Sequence, residues 1–239
     1  MKIMLGLGIL IVSLNVVALN IHVIGDSHAF FCFTNTYASG PSDEHSIFYG
    51  SKNGMQYSLS FLIHPLVSRT LHRVGRDGIR GLNIRNFGVQ DGDIVVFLFG
   101  EVDVRCHIGR QRDECGRSQQ EIIETLVTNY FKTIQENVSG YRDLICIVAS
   151  LVPPCDQGFN PVQPFYGLLS DRVTITQQLN GLLKGSATMY GMHYLDIYAL
   201  YAQEDGSFNL TLSDGIVHVS PRHNRLIKEA LADIIYGLL

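Results

Sequence analysis

Ile21-His22-Val23-Ile24-Gly25-Asp26-Ser27-His28-Ala29 runs an apolar stretch straight into a small residue, a carboxylate and a hydroxyl. The β-branched residues from Ile21 to Ile24 predict a strand. Gly25 lets the backbone bend sharply where that strand stops. A strand ending in Gly-Asp-Ser delivers Ser27 to the rim of a sheet, which is where open α/β folds place their chemistry.

Working outward, Asp93-Ile-Val-Val-Phe-Leu-Phe99 is apolar on both faces, as a strand covered by helices on both sides should be. Leu144 to Ala149 is a third such run. Between them Ser118-Gln-Gln-Glu121 forms a capping-box pattern, and Ile122, Ile123, Leu126, Val127, Tyr130, Phe131 and Ile134 follow at helical spacing. A proline-rich loop with Pro153, Pro154, Pro161 and Pro164 leads to a helix over about 168–189, then to a weaker strand over 193–197. In the last helix Ser220 is read as the N-cap and Pro221 as the first helical residue, ahead of an apolar face from Leu226 to Leu238. Strands alternating with helices predict one α/β domain with a mostly parallel sheet.

The 239 residues, 46% of them hydrophobic, are enough for one sizeable core without metal or disulfide staples. A formal charge of −4 argues against a nucleic-acid partner, whose phosphates call for a basic face. Residues 1–18 read as an addition to the fold: an apolar run from Ile3 to Val12, then small residues around Val16-Val-Ala18, predict a secretory signal. The alternatives are an uncleaved membrane anchor, and an upstream start that would leave the protein cytoplasmic. Residues 19–239 form the domain proper. The sequons Asn137-Val-Ser139 and Asn209-Leu-Thr211 suit the secretory reading. Five cysteines leave at least one unpaired; Cys106 with Cys115 and Cys32 with Cys155 are the pairs an oxidising compartment would allow. Cys106, His107 and Cys115 lack the second close-spaced pair of ligands that makes zinc motifs specific, so no metal and no cofactor is expected.

A serine hydroxyl needs a neighbouring base to become a nucleophile, and the base needs a third group to hold its ring. Leu212-Ser-Asp-Gly-Ile-Val-His-Val219 offers both, Asp214 and His218, on one turn before the last helix. The order Ser27, Asp214, His218 is consistent with a hydrolase on an open α/β sheet.

On these motifs the chain resembles the SGNH (GDSL-like) hydrolases, and the resemblance runs from about residue 21 to the end. Gly25-Asp26-Ser27 looks like the family's nucleophile block, Gly100-Glu-Val-Asp103 stands where the family has Gly-x-Asn-Asp, and Asp214 to His218 looks like the final Asp-x-x-His block. The resemblance implies a flavodoxin-like three-layer α/β/α fold and ester hydrolysis, with Ser27 as nucleophile, His218 as general base and Asp214 orienting it. It also implies an oxyanion hole made by the Ser27 N–H, a glycine N–H from a loop after the second strand, and an asparagine side chain.

The chain departs from that pattern twice. Val102 occupies the position of the asparagine, and one extra residue separates Asp214 from His218. For the missing donor we look to Arg105 or His107 in the same loop; the competing reading pairs Arg105 with Glu101 or Asp103 beneath the site. For the glycine, Gly75, Gly78, Gly81 and Gly88 are all available, with Gly75 preferred. His28 is expected to line the pocket, and His22, His64, His72, His193 and His223 to be structural or at the surface. The connection from Phe30 to Phe61, rich in Ser, Gly, Asn and Tyr, is expected over the active face. Such polar-aromatic loops suit a carbohydrate ester bearing a small acyl group such as acetyl. Two other readings stay open: a lipase or lysophospholipase of the same fold, and a binding module without activity.

Overall fold

A computed structural model describes residues 20–36, 40–52, 55–158 and 164–238. The expected signal segment, residues 1–18, therefore lies outside the described residues. Among the described residues six strands form one sheet in the order β2-β3-β1-β4-β5-β6. β1 (Asn20–Gly25) lies between β3 (Met55–Pro65) and β4 (Ile94–Leu98), parallel to both. β5 (Ile145–Ala149) and β6 (His193–Leu195) continue the parallel set. β2 (Glu44–Lys52) closes the other edge, antiparallel to β3.

Each face of the sheet is covered by helices, which explains why the central strands show no polar alternation. On one face Ile21, Val23, Ile94, Val96 and Ile147 pack with Phe30 and Phe33 of α1 (Ser27–Phe33) and with Ile227, Leu231 and Ile235 of α7 (Arg225–Tyr236). On the other, Ile24, Val95, Phe97 and Val148 pack on three helices. These are α2 (Leu71–Asp77), α4 (Gln119–Val138) and α5 (Leu169–Met189). A π-helical stretch, Asp103–Ile108, runs directly into α3 (Gly109–Cys115), and α6 (Ile197–Tyr201) follows β6. The molecule is a three-layer α/β/α sandwich, as the alternation of elements predicts.

Three expectations need correcting. The stretch 30–61 is not a loop over the active face: it holds the end of α1, all of β2 and the first part of β3, and so builds the sheet edge. The last helix starts at Arg225, because residues 221–224 form a turn in which the His223 N–H donates to the Ser220 carbonyl. Asn137 is buried in α4, where its side chain accepts from the Ile84 N–H at 2.9 Å and donates to the Leu82 and Thr133 carbonyls, so this sequon cannot carry a glycan on the folded chain. All five cysteines are unpaired, and Cys106 donates its thiol to the Pro164 carbonyl. Among the described residues no helix is long and apolar enough to cross a membrane.

Candidate active site

β1 and β4 approach each other so closely at Gly25 that a Cβ there would overlap the Leu98 carbonyl oxygen. The next residue, Asp26, donates its N–H to that carbonyl at 3.0 Å. Its buried carboxylate accepts from the His28 N–H at 2.9 Å, capping α1, and from the Gly100 N–H at 3.3 Å, tying α1 to the chain leaving β4. Burial pushes the Asp26 carboxyl above the ordinary range, with the Glu101 charge adding to it. Gly100 sits at φ +126, a conformation that side chains disfavour. Ser27 is thereby fixed as the first residue of α1, where its N–H has no intrahelical acceptor.

The histidine arrives on a short turn closed by the antiparallel bridge between Ser213 and Val219. One Asp214 oxygen accepts from the Ile216 N–H at 2.8 Å and the His218 N–H at 3.3 Å. The other lies 3.1 Å from His218 Nδ1. The additional residue thus lengthens the turn without parting the pair, and Gly215 (φ +94) absorbs the bend. His218 Nε2 lies 3.0 Å from Ser27 Oγ. Phe31, one helical turn beyond Ser27, stacks on the imidazole at 4.1 Å. With Nδ1–H donating to Asp214, Nε2 is left as the acceptor for the serine proton. Burial pulls His218 below the usual imidazole value, His28 adds to the fall, and Asp214 and Glu101 oppose it. Burial also works against charge on Asp214, but the imidazole and the two amides outweigh it, and its carboxyl sits below the ordinary range.

The other predicted residues divide. Arg105 grips Glu101 through two contacts, Nε to Oε1 at 2.8 Å and Nη2 to Oε2 at 2.9 Å, in a nearly buried setting. This is the supporting arrangement and not the oxyanion donor we preferred. Asp103 is fully buried and accepts from the Leu71 and His72 N–H groups at 2.6 and 3.2 Å, holding the start of α2. Burial pushes its carboxyl up to about 7 against the pull of those amides. His107 lies on the π-helical stretch, where burial, with Arg110 and His72 adding to it, pulls its imidazole below the usual value. Gly75 is no donor either. It sits inside α2 against α4, where a Cβ would come 2.7 Å from the Asn129 Cβ, so its selection is for helix packing. His28 is 1% exposed and packs against the His218 ring, the two centroids 4.7 Å apart. His22 is away from the site, 3.3 Å from both Asp93 and His64.

Sequence reasoning missed one connection beside Gly25, whose carbonyl accepts from the Leu66 N–H at 2.6 Å. The chain leaves β3, the neighbour of β1, through Leu66 to Thr70, a connection without glycine in which Ser68 adopts the left-handed conformation (φ +60). A narrow crevice with a cavity volume of about 10 Å³ lies beside the His218 turn, lined by Glu101, Arg105, Pro153, Cys155, Phe165 and Val217. The 151–158 loop leans directly on that turn, since a Cβ on Gly158 would overlap the Ile216 side chain and Cys155 donates to the Ile216 carbonyl.

The same architecture is found in solved structures at low sequence identity. A Streptococcus pneumonia protein assigned as a platelet activating factor superposes with a TM-score of 0.61 at 14% identity, over 94% of this chain and 87% of that one. A GDSL-like lipase from Bacteroides thetaiotaomicron gives 0.54 at 13%, over 92% and 89%. The fold is that of the SGNH, or GDSL-like, hydrolases. A carbohydrate acetylesterase from Sinorhizobium meliloti shares this GDSL-like fold, with a TM-score of 0.53 at 17% identity, over 92% of this chain and all of that one. The sequence matches no family model and no curated protein.

Proposed function

We propose that the protein is a serine esterase that removes a small, acetyl-like acyl group from a carbohydrate or related alcohol. The observation that carries this reading is the unbroken line Ser27 Oγ, His218 Nε2, His218 Nδ1, Asp214 Oδ2, with 3.0 and 3.1 Å at its two links. In this reading Ser27 attacks the ester carbonyl while His218 takes its proton, Asp214 holding the ring and stabilising the imidazolium that forms. His218 then returns the proton to the departing alcohol, and water, activated by the same histidine, releases the acyl group from Ser27. Val102 is 4% exposed and its side chain has nothing to donate. The oxyanion therefore rests on backbone N–H groups, that of Ser27 and one from the Leu66–Thr70 connection around Ser68.

The solved structures of this fold include both a carbohydrate acetylesterase and a GDSL-like lipase, so chain length is the property to test. A panel of nitrophenyl esters from acetate to palmitate, run beside an acetylated oligosaccharide, should show kcat/KM falling steeply beyond butyrate. A maximum at long chains would make the protein a lipase. The buried, apolar Val102 favours one rival reading, a binding module that kept the fold, for which no ester in the panel would be turned over.

A further inference from the structure

His28 follows the proposed nucleophile directly and is 1% exposed, yet it carries an ionisable ring into the centre of the site. Its ring centroid is 4.7 Å from that of His218, and its Nε2 is 3.8 Å from Glu101 Oε2. That distance is too long for a hydrogen bond, and the contact is an ion pair when His28 carries its proton. The charged groups around His28 come from three parts of the fold. Asp26 belongs to its own segment, Glu101 and Arg105 to the chain after β4, and His218, backed by Asp214, to the turn before α7. Asp103, the other carboxylate in this region, is taken up by the amides of Leu71 and His72.

We propose that His28 is a positioning residue for the base: an imidazolium held against Glu101 behind the His218 ring, keeping that ring neutral in mildly acidic solution. Burial alone would strip the charge from His28. The Glu101 and Asp26 carboxylates outweigh it and the Arg105 charge together, and hold the ring above the ordinary imidazole value. Seen from His218, the same ring is a like charge that resists a second proton. Glu101 limits this resistance from the other side, so that His218 still accepts the serine proton during turnover. The catalytic consequence rests on the esterase reading; the charge relation between the two rings does not.

The test is an NMR titration of the histidine ring signals in the intact protein and in His28→Gln, alongside the pH dependence of nitrophenyl acetate hydrolysis. In the wild-type protein His28 should stay protonated throughout the range in which His218 titrates. In His28→Gln, His218 should titrate at higher pH and the acid limb of kcat/KM should move with it, so that the rate at pH 5 drops about tenfold further below its maximum than in wild type. A His28 that is neutral while His218 titrates overturns the proposal, and so does an unmoved limb with a uniform loss at every pH. The wild-type titration decides the matter even if His28→Gln does not fold. If neither protein hydrolyses esters, the ring titrations still decide the role of His28, and only the esterase reading fails.

Discussion

Ser27 sits at the start of α1 with its hydroxyl turned to His218 and little packing to lose. Ser27→Ala should therefore lower ester turnover by on the order of 10⁴-fold or more while leaving the melting temperature almost unchanged, measured by kinetics beside thermal denaturation. In the proposed reaction the acid limb of the rate belongs to His218, which has to be neutral to act as base. Because burial pulls its titration below 6.5, the rate should rise with pH at a midpoint below that of a free imidazole. A midpoint above 6.5 would contradict the environment described here. Arg105 gives the opposite kind of result. Replacing it by Gln leaves Glu101 buried without its two-point partner, and breaking such a pair costs about 3–5 kcal/mol. Arg105→Gln should lose activity chiefly because it loses stability, seen as a matching fall in the urea midpoint. A large loss of turnover at unchanged stability would return Arg105 to the oxyanion role.

At the scale of elements, what brings Ser27 and His218 together is the docking of α7 on α1. Asn224, the N-cap of α7, donates to the carbonyls of Phe31 and Thr34 at 3.2 and 2.7 Å. Lys228, one turn on, donates to the Thr34 carbonyl and to Asn35. Two side chains of α7 thus cap the C-terminus of α1, and the His218 turn immediately precedes α7. Burial pushes the Lys228 ammonium down to about 8, while the unfolded chain keeps its proton to about 10.5. The unfolded state holds more protons between those values, so this group makes stability rise as pH goes from 8 to 10.5. Urea midpoints at pH 8 and pH 10 should show that gain in the wild-type protein and lose it in Lys228→Met. An equal gain in the variant would assign it to other groups.

The same elements show what the sequence makes legible. α4 follows from its capping box and apolar period, and β4 and β5 from runs with no polar alternation, because these signals are local. β2 was hidden because its exposed face carries His45, Ile47, Tyr49 and Ser51 in a pattern that reads as a polar-aromatic loop. Yet Asn53-Gly54 between β2 and β3 is a strong sequence signal for a hairpin. Ser27, Asp214 and His218 could be named from motif and order alone. The Arg105–Glu101 pair, the burial of His28 and the packing of Gly75 depend on contacts between distant segments, which neither period nor spacing encodes.

At the scale of the whole molecule, the position of the site follows from the winding of the sheet. From β1 the chain crosses to β3 on one side and then returns past β1 to β4 on the other. The carboxyl ends of β1 and β4 therefore face a crevice at the point where the winding reverses, the place where open α/β sheets bind ligands. Ser27 leaves one of these strands and Glu101 follows the other, while the His218 turn closes over them from the far end of the chain. The central claim is that this convergence activates Ser27, and reaction with a fluorophosphonate probe tests it most directly. We predict one covalent adduct per chain, on Ser27, absent from Ser27→Ala and weakened as pH falls through the His218 titration. A correctly folded protein that never labels, or that labels equally without Ser27, would contradict the account.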